Sequence, residues 1–93
     1  MIKICRCSDT RKLFETGKSA RFGSIVKVAT RKLAQLEAAA TLEFLRSPPG
    51  NRLEALKGDR EGQYSIRVND QWRICFRWVE GEGAHDVEII DYH

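Results

Sequence analysis

Hydrophobic residues in the second half of the chain recur at every other position, which is the period of a β-strand with one buried face. The alternation runs from Tyr64 to Val68 and again from Trp72 to Trp78, on either side of the polar turn 69–71. A third alternating segment covers residues 85–90. The pattern predicts a β-hairpin followed by a third strand.

The first half of the chain changes to helical spacing after a short alternating start at residues 1–6, which predicts a strand. Ser8 and Asp9 are good N-terminal capping residues for a short helix over residues 10–16, with Leu13 and Phe14 turned inward and Gly17 as its end.

A longer helix is predicted from Ile25 to about Ala40, with Ser24 as its cap. Its apolar residues recur at helical spacing and form a stripe: Ile25, Ala29, Leu33, Leu36 and Ala40. Three basic residues lie off this stripe: Lys27, Arg31 and Lys32. Thr41 begins one further turn through Leu45. The segment 47–51 then ends the helical region, because consecutive prolines and a glycine favour an extended turn.

These elements predict an α+β domain in which a small antiparallel sheet is covered on one face by the helices. Val87 and Ile89 are placed on the apolar side of the third strand, so Asp86, Glu88, Ile90 and Tyr92 fall on the other side. We therefore expect an open sheet face that is polar and positive. With 93 residues, the chain is expected to form one domain over residues 1–93.

The formal net charge of +3 conceals an asymmetry along the chain. Residues 1–50 contain ten Lys and Arg against four Asp and Glu, whereas residues 80–93 contain five acids and no Lys or Arg. Basic surfaces suit RNA, although charge alone is equally compatible with a solvated surface. The chain shows neither a signal peptide nor an apolar membrane span, so we expect a cytoplasmic protein with no membrane partner.

The three cysteines, Cys5, Cys7 and Cys75, are an odd number in a chain without an export signal. This favours reduced thiols over a disulfide framework. The Cys5-x-Cys7 spacing is half of a possible metal site, but no matching Cys/His pair follows. We expect buried structural cysteines, no metal and no cofactor.

Candidate chemistry collects on the predicted polar face of the sheet. Three arginines are predicted to share this face: Arg67, Arg73 and Arg77. Lys57 and Arg60 come from the loop that precedes the hairpin, so hydrogen-bond donors for phosphate are concentrated on one patch. A solvated outer surface would have the same composition. The ending Asp91, Tyr92 and His93 adds groups that accept or transfer protons, directly after the third strand.

Three runs of sequence resemble HigB-type toxins of the RelE/ParE superfamily: residues 52–62 (RLEALKGDREG), residues 64–76 (YSIRVNDQWRICF) and residues 87–93 (VEIIDYH). The resemblance implies a RelE-like fold with two or three helices on one face of the sheet. It also implies a bacterial toxin, a ribosome-dependent endoribonuclease that cleaves messenger RNA and pairs with a helix-turn-helix (HigA-like) antitoxin.

By the same resemblance, Lys57 and Arg73 match basic residues of the family's active site. Asp91, Tyr92 and His93 match its C-terminal catalytic cluster. Glu54 stands where several relatives have a histidine, and it is either a proton acceptor or a solvated loop residue. Arg60, Arg67 and Arg77 are expected to bind RNA.

The implied reaction needs no metal, since the RNA 2′-hydroxyl attacks the neighbouring phosphorus once a base removes its proton. His93 is the best candidate for proton transfer, because its ordinary pKa lies near physiological pH. Two other functions remain open: a ParE-like toxin acting on gyrase, and a non-catalytic protein-interaction module.

Overall fold

A computed structural model of the protein describes residues 8–19, 21–47 and 50–91. Within these residues, three helices are followed by four strands, and all neighbouring strands pair antiparallel in the order β1-β2-β3-β4. The helices are α1 (Ser8–Thr16), α2 (Val26–Ala38) and α3 (Leu42–Arg46), and the strands are β1 (Glu54–Ala55), β2 (Gln63–Arg67), β3 (Trp72–Val79) and β4 (Gly83–Asp91). The α+β prediction is therefore confirmed, and the predicted strand at residues 1–6 lies outside the described residues.

Helix α1 has the predicted core residue and the predicted end. Leu13 is fully buried, and Gly17 follows the helix with a φ of 72°, a conformation that glycine adopts without strain. Thr10 lies on the same buried side, where its hydroxyl accepts a hydrogen bond from the Ile89 amide at 3.1 Å. The contact joins α1 to β4.

Helix α2 begins and ends at different residues from those predicted. A 3₁₀ turn, Gly23–Ile25, precedes it, and Ser24 is exposed and makes no capping hydrogen bond. The helix ends at Ala38 because Ala39 is extended, so Ala39 is buried and Ala40 is exposed, the reverse of the predicted stripe. Thr41 does begin α3, as predicted, by accepting a hydrogen bond from the Phe44 amide at 3.2 Å.

The hairpin between β2 and β3 has the predicted turn. The Asn69 side chain accepts hydrogen bonds from the amides of Gln71 and Trp72, each at 2.8 Å, which closes the turn. In the sheet, Ile66 pairs with Ile74, and Ile74 pairs with Ile89. All three are buried against the helices, so the predicted apolar face is confirmed.

Strand β4 contains a bulge that the alternating pattern does not reveal. The pairs Cys75–Glu88 and Arg77–His85 leave two residues of β4 opposite Phe76, and Asp86 has a φ of 52°. The sequence also gave no sign of β1, which is only two residues long and exposed. None of the helices in the described residues has the length and apolar character that a membrane crossing requires.

Candidate active site

The sheet face that points away from the helices, called the outer face here, carries four of the candidate residues: Glu54, Arg67, Arg73 and Arg77. Cross-strand pairs share a face, so the register places Arg67 beside Arg73, and Ile90 beside Arg73 on the other side. The next row across the sheet has four members: Glu54, Ser65, Cys75 and Glu88. The predicted assignment of Glu88 and Ile90 to this face is confirmed.

Arg73 occupies the centre of this arrangement and is only 8% exposed. Its Nε donates to the Ser65 hydroxyl at 2.8 Å, and its Nη2 donates to the Arg52 carbonyl at 2.8 Å. Its Nη1 lies 3.5 Å from the Glu54 carboxylate. Contacts from β1, from β2 and from the segment before β1 therefore hold one planar guanidinium in a fixed orientation.

Glu54 is brought to Arg73 by β1. The backbone of Glu54 pairs with Ser65, which places its carboxylate on the outer face. Half of the Glu54 side chain remains exposed, so the carboxylate contacts the guanidinium and stays accessible to a ligand. Glu54 thus lies in a strand rather than in a loop, and its half-exposed side chain is part of an ion pair.

The other outer-face arginines are also paired with acids. Arg60 lies 2.9 Å from Glu88, and Arg77 lies 2.7 Å from Asp86. Arg67 contacts Asp70 in the hairpin turn. The expectation of an open and positive face is therefore only partly correct, because these acids neutralise the arginines. The sequence placed Asp86 and Glu88 on this face, but it did not show that they pair with Arg77 and Arg60.

Arg77 lies far along the sheet from Arg73. The two residues are four positions apart on β3, a separation of roughly 13 Å at the usual rise of a strand. The 3₁₀ turn Gly58–Arg60 follows β1 and brings Arg60 over the Arg77 end of the face, where Arg60 also contacts Gln63 at 3.2 Å. The predicted basic patch is therefore divided into two groups.

Lys57 differs from these arginines in being exposed and having no acidic partner within the part of the chain that the structure describes. It follows β1, three residues after Glu54. A ligand phosphate can therefore meet the Lys57 ammonium without displacing a carboxylate.

Strand β4 brings the end of the described chain to the Arg73 end of the outer face. Ile90 is opposite Arg73, and Asp91 is exposed at the sheet edge, where it accepts a hydrogen bond from Gln71 at 3.1 Å. Tyr92 and His93 lie outside the described residues. Their place in the site stays a prediction.

Cys75 is fully buried beneath the charged groups of the outer face. Burial raises the pKa of its thiol, and the charges of Arg60 and Glu88 act on it in opposite directions. The prediction of a buried structural cysteine is confirmed for Cys75, while Cys5 and Cys7 lie outside the described residues. No group of three metal-ligating side chains occurs in residues 8–19, 21–47 and 50–91.

Several contributors to the site were not predicted. Ser65 alternates with Arg67 in β2, so its position on the outer face was readable from the sequence, but its contact with Arg73 was not. The Arg52 carbonyl carries no sequence signal at all. His85, which pairs with Arg77 and contacts Glu82 at 3.0 Å, lies on the same face and was also missed.

Comparison of sequence and fold with known proteins identifies the family of this chain. Residues 8–93 match the family described as the RelE-like toxin of the type II toxin-antitoxin system HigB. A solved structure, the YoeB/ParE toxin from Agrobacterium tumefaciens, has the same fold with a TM-score of 0.53 and 19% sequence identity, covering 100% of this chain and 95% of that one.

Two curated relatives are more similar in sequence over shorter segments. Toxin HigB-1 of Vibrio cholerae is 52% identical over 58 residues, which are 62% of this chain and 61% of the relative. Endoribonuclease HigB of Proteus vulgaris is 48% identical over 42 residues, or 45% of each chain. The aligned segments thus span less than two thirds of these relatives, but the family match covers nearly the whole chain. The chain belongs to the HigB-like family of RelE-like toxins from type II toxin-antitoxin systems.

Proposed function

We propose that this protein inhibits translation by cutting messenger RNA on ribosomes, through acid/base catalysis that needs no metal. The observation that carries the proposal is the Glu54–Arg73 pair, a half-exposed carboxylate 3.5 Å from a buried guanidinium. The activity named for the Proteus vulgaris relative, an endoribonuclease, supports the same reaction class.

RNA cleavage of this kind needs a proton acceptor for the 2′-hydroxyl, a proton donor for the departing 5′-oxygen and cations for the crowded phosphate. Glu54 is accessible and is oriented by Arg73, so it suits the role of acceptor. Arg73 stabilises negative charge from within the sheet. His93 would be the proton donor, supported by its sequence neighbours Asp91 and Tyr92.

Lys57 would make the first contact with the scissile phosphate. It is exposed, whereas Arg73 already donates to protein acceptors in residues 52, 54 and 65. Arg67, Arg60 and Arg77 would bind phosphates further along the strand. Each of these three must first leave an acid, so we assign them a secondary part in RNA binding.

The ribosome would hold the RNA backbone in the conformation needed for cleavage, which the site alone does not impose. In-line attack requires the 2′-oxygen, the phosphorus and the leaving oxygen to be aligned, and a flexible free strand rarely adopts this geometry. The described outer face is short and mostly charged, and it has few aromatic side chains on which a base can stack. Messenger RNA held in a ribosome would arrive with its backbone already constrained. The protein would then act in the cytoplasm.

The partner would be a helix-turn-helix antitoxin that covers the basic helices. Lys12, Lys18, Lys27 and Arg31 are exposed on the helix side of the molecule. Lys32 does not belong to this surface, since it is buried. Charge-reversing substitutions at Lys12, Lys27 and Arg31 should weaken the complex in a salt-dependent way, while cleavage by the free toxin stays unchanged.

The decisive experiment compares cleavage of one messenger RNA, naked and on translating ribosomes, mapped at nucleotide resolution. We expect cleavage on ribosomes only, and Lys57→Ala should lower its rate by about a hundredfold, the scale for losing one charge-stabilising contact. Lys27→Ala is the matched control, because Lys27 is an exposed lysine on α2.

Equal cleavage of naked and ribosome-bound RNA would contradict the requirement for ribosomes. Intact messenger together with inhibited gyrase would replace the proposal with the ParE-like alternative. If Lys57→Ala, Glu54→Gln and His93→Ala all kept full toxicity, a non-catalytic interaction module would be the better description.

A further inference from the structure

Four of the five buried polar or charged residues in the described chain form one connected path. The path includes Lys32, Asn51, Ser65 and Arg73, and the fifth residue, Thr10, lies elsewhere in the fold. It begins on helix α2, crosses the segment 51–54 and ends on the outer face of the sheet. These hydrogen bonds satisfy the buried polar groups and connect the helix layer to the outer face of the sheet.

The helix end of the path is built around Asn51, which has no exposed surface. The Lys32 ammonium donates to the Asn51 side-chain oxygen. The Asn51 amide group donates in turn to Gln35 at 3.2 Å and to the Leu45 carbonyl at 3.1 Å. Helices α2 and α3 therefore both hold this one side chain.

The sheet end of the path begins at the Asn51 backbone. The Asn51 carbonyl accepts a hydrogen bond from the Arg67 amide at 2.6 Å. The next residue, Arg52, has a φ of 47° and offers its carbonyl to Arg73 at 2.8 Å. Two residues later the chain enters β1 at Glu54, whose carboxylate meets the same guanidinium.

The stability of the core does not explain why position 32 is a lysine rather than an apolar residue. A buried ammonium loses hydration, and an apolar side chain of similar length often serves a core as well or better. What the ammonium adds is a directional contact to Asn51. Strand β1 is two residues long and lies at the edge of the sheet, so few other contacts fix the segment that carries Glu54.

We infer that Lys32 and Asn51 are positioning residues, which hold the segment 51–54 so that Glu54 and the Arg52 carbonyl stay on Arg73. This inference rests on the proposed function, since it assigns the pair Glu54–Arg73 to catalysis. Because Lys32 and Asn51 are buried, both would act on the RNA only through the segment between them and the outer face.

The test replaces Lys32 by Met, which keeps the length of the side chain but removes its donor. Lys32→Gln retains an N–H donor without charge and should restore part of the effect. Leu33→Val is the matched control, because Leu33 is the neighbouring buried residue of α2 and no side-chain hydrogen bond is altered. All variants are compared below their unfolding transitions.

The first measurement is structural and does not depend on activity. Hydrogen exchange of the Arg67 amide, which donates to Asn51, should be at least about tenfold faster in Lys32→Met than in the parent, as expected when an anchored segment opens locally. The NMR signal of the Arg73 Nε–H should shift in the same variant. For Lys32→Gln, the exchange rate and the signal position should lie between those of the parent and those of Lys32→Met. Leu33→Val should leave both near the values of the parent.

The second measurement is cleavage of messenger RNA on ribosomes. Displacement of Glu54 should lower kcat by about tenfold or more with little change in KM, because misplacing a reacting group costs turnover rather than binding. Unchanged Arg67 exchange and unchanged kcat in Lys32→Met would overturn the inference, as would equal effects of Leu33→Val. If the parent cuts no RNA, the proposed function fails. The exchange of the Arg67 amide and the Arg73 signal then still decide whether Lys32 positions the segment 51–54.

Discussion

Replacement of Arg73 by lysine tests whether the buried guanidinium organises the outer face. The variant keeps the positive charge but replaces a fork of donors by a single ammonium. Arg73 donates to Ser65 and to the Arg52 carbonyl, each at 2.8 Å, and faces Glu54 at 3.5 Å. One lysine cannot occupy all of these positions, so buried acceptors are left without a donor.

The expected loss of stability follows from these contacts. A hydrogen bond from a charged group contributes about 1.5–3 kcal/mol, and a lysine would keep roughly one of the two that Arg73 donates to Ser65 and Arg52, so the expected loss is about 1.5–3 kcal/mol. For a domain of this size, each kcal/mol shifts Tm by about 4–8 °C, so Tm should fall by at least about 6 °C.

Arg67→Lys is the matched control, since Arg67 pairs directly with Arg73 across β2 and β3. Its ion-pair partner Asp70 is 99% exposed in the hairpin turn. Exposed ion pairs contribute little, so this change should cost less than about 1 kcal/mol.

Urea unfolding followed by tryptophan fluorescence measures the difference between the two variants. Trp72 packs edge-on against Phe22, with ring centroids 5.4 Å apart, so its emission reports the loss of the core. The slope of the transition should be the same for both proteins, which shows that the native state alone has changed. If Arg73→Lys were no less stable than Arg67→Lys, the assignment of Arg73 as the centre of the site would be refuted.

Three further outcomes are expected. Burial, together with the charges of Arg31 and Arg67, lowers the pKa of Lys32 below 10.5. Lys32 therefore binds its proton more tightly in the unfolded chain than in the folded protein. The stability of the parent relative to Lys32→Met should therefore rise with pH up to about that value, as urea unfolding at several pH values would show. Cys75, whose pKa burial raises, should react with iodoacetamide at pH 8 only after unfolding, measured with Cys5 and Cys7 replaced by serine. Asn69→Ala should cost about 1–2 kcal/mol by removing the acceptor that closes the hairpin turn, and thermal unfolding checks this value.

Much of the fold could be predicted because hydrophobic period and turn chemistry are local properties of the sequence. The alternation around Ile66, Ile74 and Ile89 located the buried face, and Asn69 located the hairpin turn. Strand β1 could not be found in this way, since two exposed residues carry no period. Its existence depends on the neighbouring edge of β2, which is a tertiary property.

The candidate site was less predictable, because charge pairing depends on distant parts of the chain. The arginines of β2 and β3 were visible in the sequence, but the acids that meet them come from a turn, a bulge and an edge strand. Lys32 shows the same limit: its spacing placed it off the apolar stripe, yet it is buried by a contact with Asn51, nineteen residues later. Helical periodicity cannot show that a polar residue will have a buried hydrogen-bond partner in a distant part of the chain.

The four acids on the outer face already act as counter-ions for its arginines. An RNA phosphate that binds Arg60, Arg67 or Arg77 would displace an internal carboxylate rather than a dissolved cation. The displaced carboxylate would take up a cation from solution, and the usual gain from counter-ion release would be largely cancelled. Contacts to these arginines would therefore depend on salt less than the slope of about −0.7 per phosphate that a single strand normally shows. Lys57, which has no internal counter-ion among the described residues, would carry most of the salt dependence.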